Sequence, residues 1–180
     1  MFQKALNDII AKLELAKEKG LLQSYGLIGG LAVAVWGIPR ATQDIDFAIA
    51  LGGAPPQELS QYLGGNFTPG TPEDPLRGVI RLHVGMDDEK IPLQLVFFPS
   101  IWSPIIFPSV QRVVIGDCTV SVVSWESLVL LKLYAGGPQD LLDARTIMTT
   151  RSPVEREVTP LKKMAEAVGL AQELENLTET

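Results

Sequence analysis

Between Tyr25 and Ala50 the chain reads as strand, glycine turn, short helix and strand, and this run constrains the fold more than any other segment. Tyr25 to Ile28 is a short buried strand, Gly29-Gly30 turns it into a helix, and Gly37 and Pro39 stop that helix. Asp44 to Ala50 is the next strand, with Ile45, Phe47 and Ile49 facing the core and Asp44 and Asp46 on the opposite face. A glycine-rich turn at a helix start offers unhindered backbone N–H groups and the positive end of the helix dipole to phosphate oxygens. Carboxylates at i and i+2 of a strand point the same way and can hold one hard divalent cation. Without a cation they repel, so a same-face pair flanked by core residues favours a metal site over a solvated sheet edge. Together these features fit a magnesium–triphosphate.

The rest of the chain supports an α/β architecture. Ala5, Leu6, Ile9, Ile10, Leu13 and Ala16 recur at helical spacing, which predicts an amphipathic helix over 2–19. Pro55-Pro56 and Gly64-Gly65 bracket another helix, and residues 66–77 read as a loop near the site. Val79 to Val84 and Ile91 to Phe98 are strands joined by an acidic turn, and Val110 to Ile115 with Thr119 to Val123 form a hairpin. Ser124 caps a helix from Trp125 to Ala135, Gly136-Gly137-Pro138 breaks it, and a second helix runs from Gln139 to about Thr149. Ser152-Pro153 and Thr159-Pro160 each read as an N-cap followed by proline in the first helical position, and the tail is helical. The order predicts α/β with a mixed sheet and a helical C-terminal portion.

Composition narrows the function classes. A chain of 180 residues with 46% hydrophobic content carries a sizeable core and reads as one domain. Its net charge of −6 argues against broad DNA or other nucleic-acid binding, which needs many cations on phosphates. One cysteine, Cys118, and one histidine, His83, exclude disulfide frameworks and multi-histidine metal sites. The N-terminus lacks signal-peptide character, and no apolar run is long enough to span a bilayer, so a soluble cytoplasmic protein is the expectation. His83 reads as a partly buried structural histidine, Cys118 has no evident activating partner, and Glu126 is a first-turn helix charge. Arg40 can steady a carboxylate or a phosphate, and Thr42 can close a side-chain turn that aims the following strand.

A dinucleotide-binding reading fits less well. Gly26-x-x-Gly29-Gly30 precedes an acidic residue, but the helix is too short for a normal crossover. The acidic pair also opens the next strand, whereas a ribose-binding carboxylate closes it.

The run from Gly29 to Asp46 resembles motif I of the DNA-polymerase-β-like nucleotidyltransferase superfamily, closest to the small AbiEii-like group that includes toxins of type IV toxin–antitoxin systems. A second match runs from Val122 to Asp143, where such proteins have a strand, a lysine-bearing helix and an aspartate-rich helix. The resemblance spans roughly residues 20–150 and implies a nucleotidyltransferase-like mixed sheet flanked by helices; with the N-terminal helix the domain is expected over 1–150, with 151–180 a C-terminal helical extension of it. It implies that Gly29 and Gly30 hold an NTP's triphosphate, that Asp44 and Asp46 hold Mg2+, and that Lys132 reaches the phosphates. Asp140 and Asp143 then line the cleft or fix a neighbouring cation; their bland alternative is a solvated helix face. The implied activity is transfer of NMP to a protein or RNA hydroxyl, with an antitoxin as partner. Two positions depart from the family's pattern. Gln94 stands where a third carboxylate belongs, and Gly137 where relatives often carry arginine. An amide carries no charge and cannot accept the nucleophile's proton, which leaves a catalytically impaired nucleotide- or partner-binding module as the alternative. Asp87, Asp88 and Glu89 are the nearby acids that could substitute.

Overall fold

The computed structural model describes residues 2–37, 39, 41–85 and 90–178. Helix α1 (Phe2–Glu18) buries Ala5, Leu6, Ile9, Leu13 and Ala16, as the spacing predicts. Strand β1 (Leu22–Ile28) leads through Gly29 into α2 (Gly29–Trp36), and β2 (Ile45–Leu51) returns antiparallel to β1. After α3 (Pro56–Leu63) come β3 (Asn66–Pro69), β4 (Gly78–Val84) and β5 (Ile91–Phe97). A short 3-10 turn (Ser100–Trp102) and α4 (Ser103–Ile106) precede the hairpin β6 (Gln111–Ile115) and β7 (Cys118–Val122). Helices α5 (Trp125–Ala135), α6 (Pro138–Arg151), α7 (Glu155–Ala167) and α8 (Ala171–Thr178) complete the chain.

Among the described residues the strands form one seven-stranded mixed sheet in the order β3-β4-β5-β2-β1-β7-β6. β2 pairs with β5 in parallel, β1 with β7 in parallel, and the other neighbours are antiparallel. Side chains alternate between faces, so adjacent rows across the sheet have opposite characters. Leu27, Phe47, Leu95 and Ile80 face one another across β1, β2, β5 and β4, and all are fully buried. Helix α1 lies on this side, where the Tyr25 hydroxyl donates to the Glu14 carboxylate at 2.5 Å. The next row, on the other face, is Ile28, Asp46, Gln94, Arg81 and Asn66. It grades from apolar to exposed and polar, because α2, backed by α5 and α6, packs on β1 and β2 and leaves Arg81 open.

Two tryptophans tie the covering helices together. The Trp36 indole N–H donates to the Val123 carbonyl at 2.7 Å. The Arg151 guanidinium, at the end of α6, lies 5.9 Å from the Trp36 ring and 5.7 Å from the Trp125 ring, a cation–π sandwich. Ser124 caps α5 as expected, its hydroxyl accepting the Ser127 N–H at 3.2 Å.

Four expectations are corrected. Residues 66–69 form edge strand β3 rather than loop: the Phe67 ring packs edge-on against Phe97, and Asn66-Phe67 pairs with β4 despite the following proline. Ser152 ends α6 in the left-handed region at φ 43 instead of opening a helix. Pro160 sits inside α7, which starts earlier because the Glu157 carboxylate accepts the Val154 N–H at 3.0 Å and caps the first turn. His83 is exposed, since β4 buries Ile80, Leu82 and Val84 and turns Arg81 and His83 to the other, open part of the sheet.

Candidate active site

The site begins at the β1–α2 turn. Gly29 has φ 67, which glycine adopts without strain, and a Cβ there would lie 2.1 Å from the Asp46 Oδ2. The bare backbone of the turn therefore packs directly against this carboxylate of β2, the central strand of the sheet. Asp44 immediately precedes β2, and the Thr42 hydroxyl donates to its Oδ1 at 2.7 Å, the side-chain turn expected from the sequence. Burial, then the charge of Asp44, push the Asp46 carboxyl up to about 6, while Lys132 pulls it down. The charges of Asp44 and Lys132 thus act on the Asp46 carboxyl with opposite signs.

Lys132 comes from the last turn of α5, and Gly136, in the left-handed region at φ 68, turns the chain back so that α6 packs on α5. The Lys132 Nζ lies 2.7 Å from Asp140 Oδ1 and 2.9 Å from Asp143 Oδ2. The Gln139 amide donates to Asp143 Oδ1 at 2.9 Å. Asp140 and Asp143 do share one helix face, but the cation they hold is Lys132, not a solvated surface partner. Lys132 is 8% exposed and Asp143 3%, which rules out a merely solvated face for Asp143.

A cleft of about 290 Å³ is lined by Gly29, Asp46, Lys132 and Asp140 together with the apolar Val96, Phe98, Leu128 and Leu131, whereas Gly30, Asp44 and Asp143 are not part of its lining. Pro75 and Leu76, from the loop expected near the site, close one side, and the Tyr134 hydroxyl donates to the Pro75 carbonyl at 2.6 Å. The sequence offered no signal for Phe98 or Tyr134, whose place depends on long-range packing. Gln94 on β5 pairs in register with Asp46 and shares its face of the sheet. Arg40, Asp87, Asp88 and Glu89 lie outside the described residues. A larger cavity, about 390 Å³ between α6, α7 and α8, contains none of the predicted site residues. Burial raises the pKa of the Cys118 thiol, which receives an N–H from Gln3 at 3.2 Å, and the neighbouring Asp117 charge also disfavours its thiolate.

Among the described residues no group of three or more His, Cys, Asp or Glu is placed to hold a metal ion. Two carboxylates nevertheless fit magnesium, which is commonly held by one or two acids with water and substrate phosphates completing its shell. A pH test follows. The folded state holds Asp46 at about 6 against an ordinary 3.8, so it binds more protons than the unfolded chain between those values. That contribution to stability is present at low pH and declines as pH rises through 4 to 6, by at most about 3 kcal/mol. A divalent cation competes with the proton, so magnesium should raise the melting temperature more at pH 7 than at pH 5. An equal shift at both would detach magnesium from Asp46.

The fold is that of nucleotidyltransferase-like proteins. It is similar to the solution structure of the antibiotic-resistance factor ANT(2'')-Ia, with 18% identity, 98% of each chain covered and a TM-score of 0.57. It is also similar to the crystal structure of ANT(2'')-Ia in complex with adenylyl-2''-tobramycin, with 19% identity, 90% of this chain and 96% of that one covered, and a TM-score of 0.53. An antigenic nucleotidyltransferase-like protein from Paracoccidioides brasiliensis matches with 16% identity, 98% and 91% coverage and a TM-score of 0.53. No family model and no curated protein matches the sequence. No helix among the described residues is long and apolar enough to cross a membrane.

Proposed function

We propose that the chain binds a magnesium–NTP in the cleft between the Gly29 turn, Asp46 and Lys132, and transfers NMP from it to an acceptor hydroxyl. The observation that carries this reading is the convergence of the Gly29 turn, the Asp46 carboxylate repelled by Asp44, and the buried Lys132 on one cleft in this fold. Asp44 and Asp46 would hold the cation, which when bound polarises the phosphates and offsets their charge. The Gly29-Gly30 backbone and Lys132 would orient the triphosphate so that the acceptor oxygen meets the α-phosphorus in line and pyrophosphate departs. The apolar lining of the cleft, with Phe98, would take the body of the nucleotide or of the acceptor. The resemblance to AbiEii-like toxins favours a protein or RNA hydroxyl as acceptor and an antitoxin as partner. The adenylylated tobramycin bound to ANT(2'')-Ia adds a small-molecule hydroxyl to the acceptors worth testing.

A second reading has its own observation. Gln94, in register beside Asp46, supplies neither charge nor a proton acceptor, which favours slow turnover or binding alone. Calorimetry with each NTP, with and without magnesium, tests what both readings share, and absence of magnesium-dependent binding removes them together. Incorporation of labelled NTP into protein, RNA and small-molecule acceptors, with Asp44→Asn as control, separates them. Gln94→Asp is expected to raise turnover by about tenfold or more. Unchanged turnover would mean that β5 does not face the reacting groups.

A further inference from the structure

We propose that Asp140 is a built-in occupant of the phosphate position at Lys132, so that nucleotide enters by exchange with this carboxylate; the inference rests on the nucleotide-binding reading above. The two acids on Lys132 are not equivalent. The Asp143 side chain is 4% exposed and is also held by the Gln139 amide, so it cannot leave without stranding a buried charge. The Asp140 side chain is 29% exposed, and among the two it alone lines the cleft with Gly29 and Asp46. It sits in the first turn of α6, and its Oδ2 lies where a side chain at Gly137 would crowd it, at 2.9 Å from a Cβ built there. Glycine at this position leaves the carboxylate room to move.

Charge gives the exchange its direction. One ammonium faces two carboxylates, so the Lys132 cluster carries a net negative charge beside Asp44 and Asp46. A polyphosphate approaching that cluster is repelled until one acid withdraws. Asp143 keeps the ammonium in place, and Asp140 swings out and frees one of its three N–H donors for a phosphate oxygen. The same carboxylate returns to Lys132 as pyrophosphate leaves, so Asp140 is a positioning residue that works through Lys132.

Asp140→Asn keeps the shape and removes the charge. Calorimetry with magnesium and ATP, GTP, CTP, UTP or inorganic tripolyphosphate should show about five- to tenfold tighter binding by this variant than by wild type, with little change for nucleoside monophosphates. Asp140→Glu should restore wild-type affinity. In the incorporation assay KM for the NTP should fall without a matching rise in kcat, because the returning carboxylate is lost. Should Asp140→Asn fold poorly, Asp140→Ser gives the same comparison. Equal or weaker polyphosphate binding by a folded variant, against a wild type that binds, overturns the exchange and leaves the nucleotide reading intact. A wild type that binds none of the probes overturns both.

Discussion

Lys132→Met is expected to destabilise the fold by about 3–5 kcal/mol, the cost typical of removing one partner from a buried ion pair. Lys132 stands in a helix whose other residues from Leu128 to Leu133 are buried apolar side chains, and methionine matches its length and packing there. The loss therefore falls on electrostatics rather than volume. Asp143, 3% exposed, keeps its Gln139 hydrogen bond but faces Asp140 without the ammonium between them. Denaturant unfolding measures the change, and Lys132→Met combined with Asp143→Leu should recover most of it. A loss below about 1 kcal/mol in the single variant would place the pair among ordinary solvated ion pairs. Recovery failing in the double variant would mean that packing, not charge, dominates at this helix contact.

Asp46→Asn should move stability and activity in opposite directions. At pH 7 the Asp46 carboxyl, raised to about 6 by burial and by Asp44, is ionised in an environment that disfavours its charge. A neutral isostere removes that penalty, so the variant should be more stable than wild type by about 1–3 kcal/mol at pH 7, with the gain vanishing as pH falls toward 4. Labelled-NTP incorporation should fall about a thousandfold, and the melting-temperature rise given by magnesium should disappear. A variant that is both less stable and fully responsive to magnesium would show that Asp46 is a structural hydrogen-bonding group. On the proposed reading the Asp44→Asn variant shares the loss of magnesium response, because both acids would hold one cation.

The parts of the fold legible in the chain are those dictated locally. The period of Ala5, Leu6, Ile9 and Leu13 defines α1, and the Gly29 turn, Gly37 and Pro39 bracket α2, because backbone freedom and hydrophobic spacing act within a few residues. β3 is hidden because an edge strand of four residues ending in proline carries the composition of a loop. Pro160 misleads because a Thr-Pro pair marks a helix start only if nothing upstream caps the turn, and Glu157 does so here. For the site, spacing alone puts Asp44 with Asp46 and Asp140 with Asp143. That Lys132 lies between the latter two depends on Gly136 folding α6 back along α5, and that Gln94 adjoins Asp46 depends on β5 crossing to pair with β2. Both are long-range events with no local period to announce them. The sequence resemblance points to Gln94 only by analogy with a motif, whereas the strand register places it physically.

The Tyr134–Pro75 hydrogen bond makes a closed ring of the loop between β3 and β4 and the helix it touches, at the rim of the cleft. On the proposed reading, a guest too large for the cleft of about 290 Å³ would have to part this contact. One neutral hydrogen bond contributes only about 0.5–1.5 kcal/mol, so parting it lowers the affinity of a large guest by roughly tenfold at most. Such a clasp would disfavour large guests only slightly, without shutting them out.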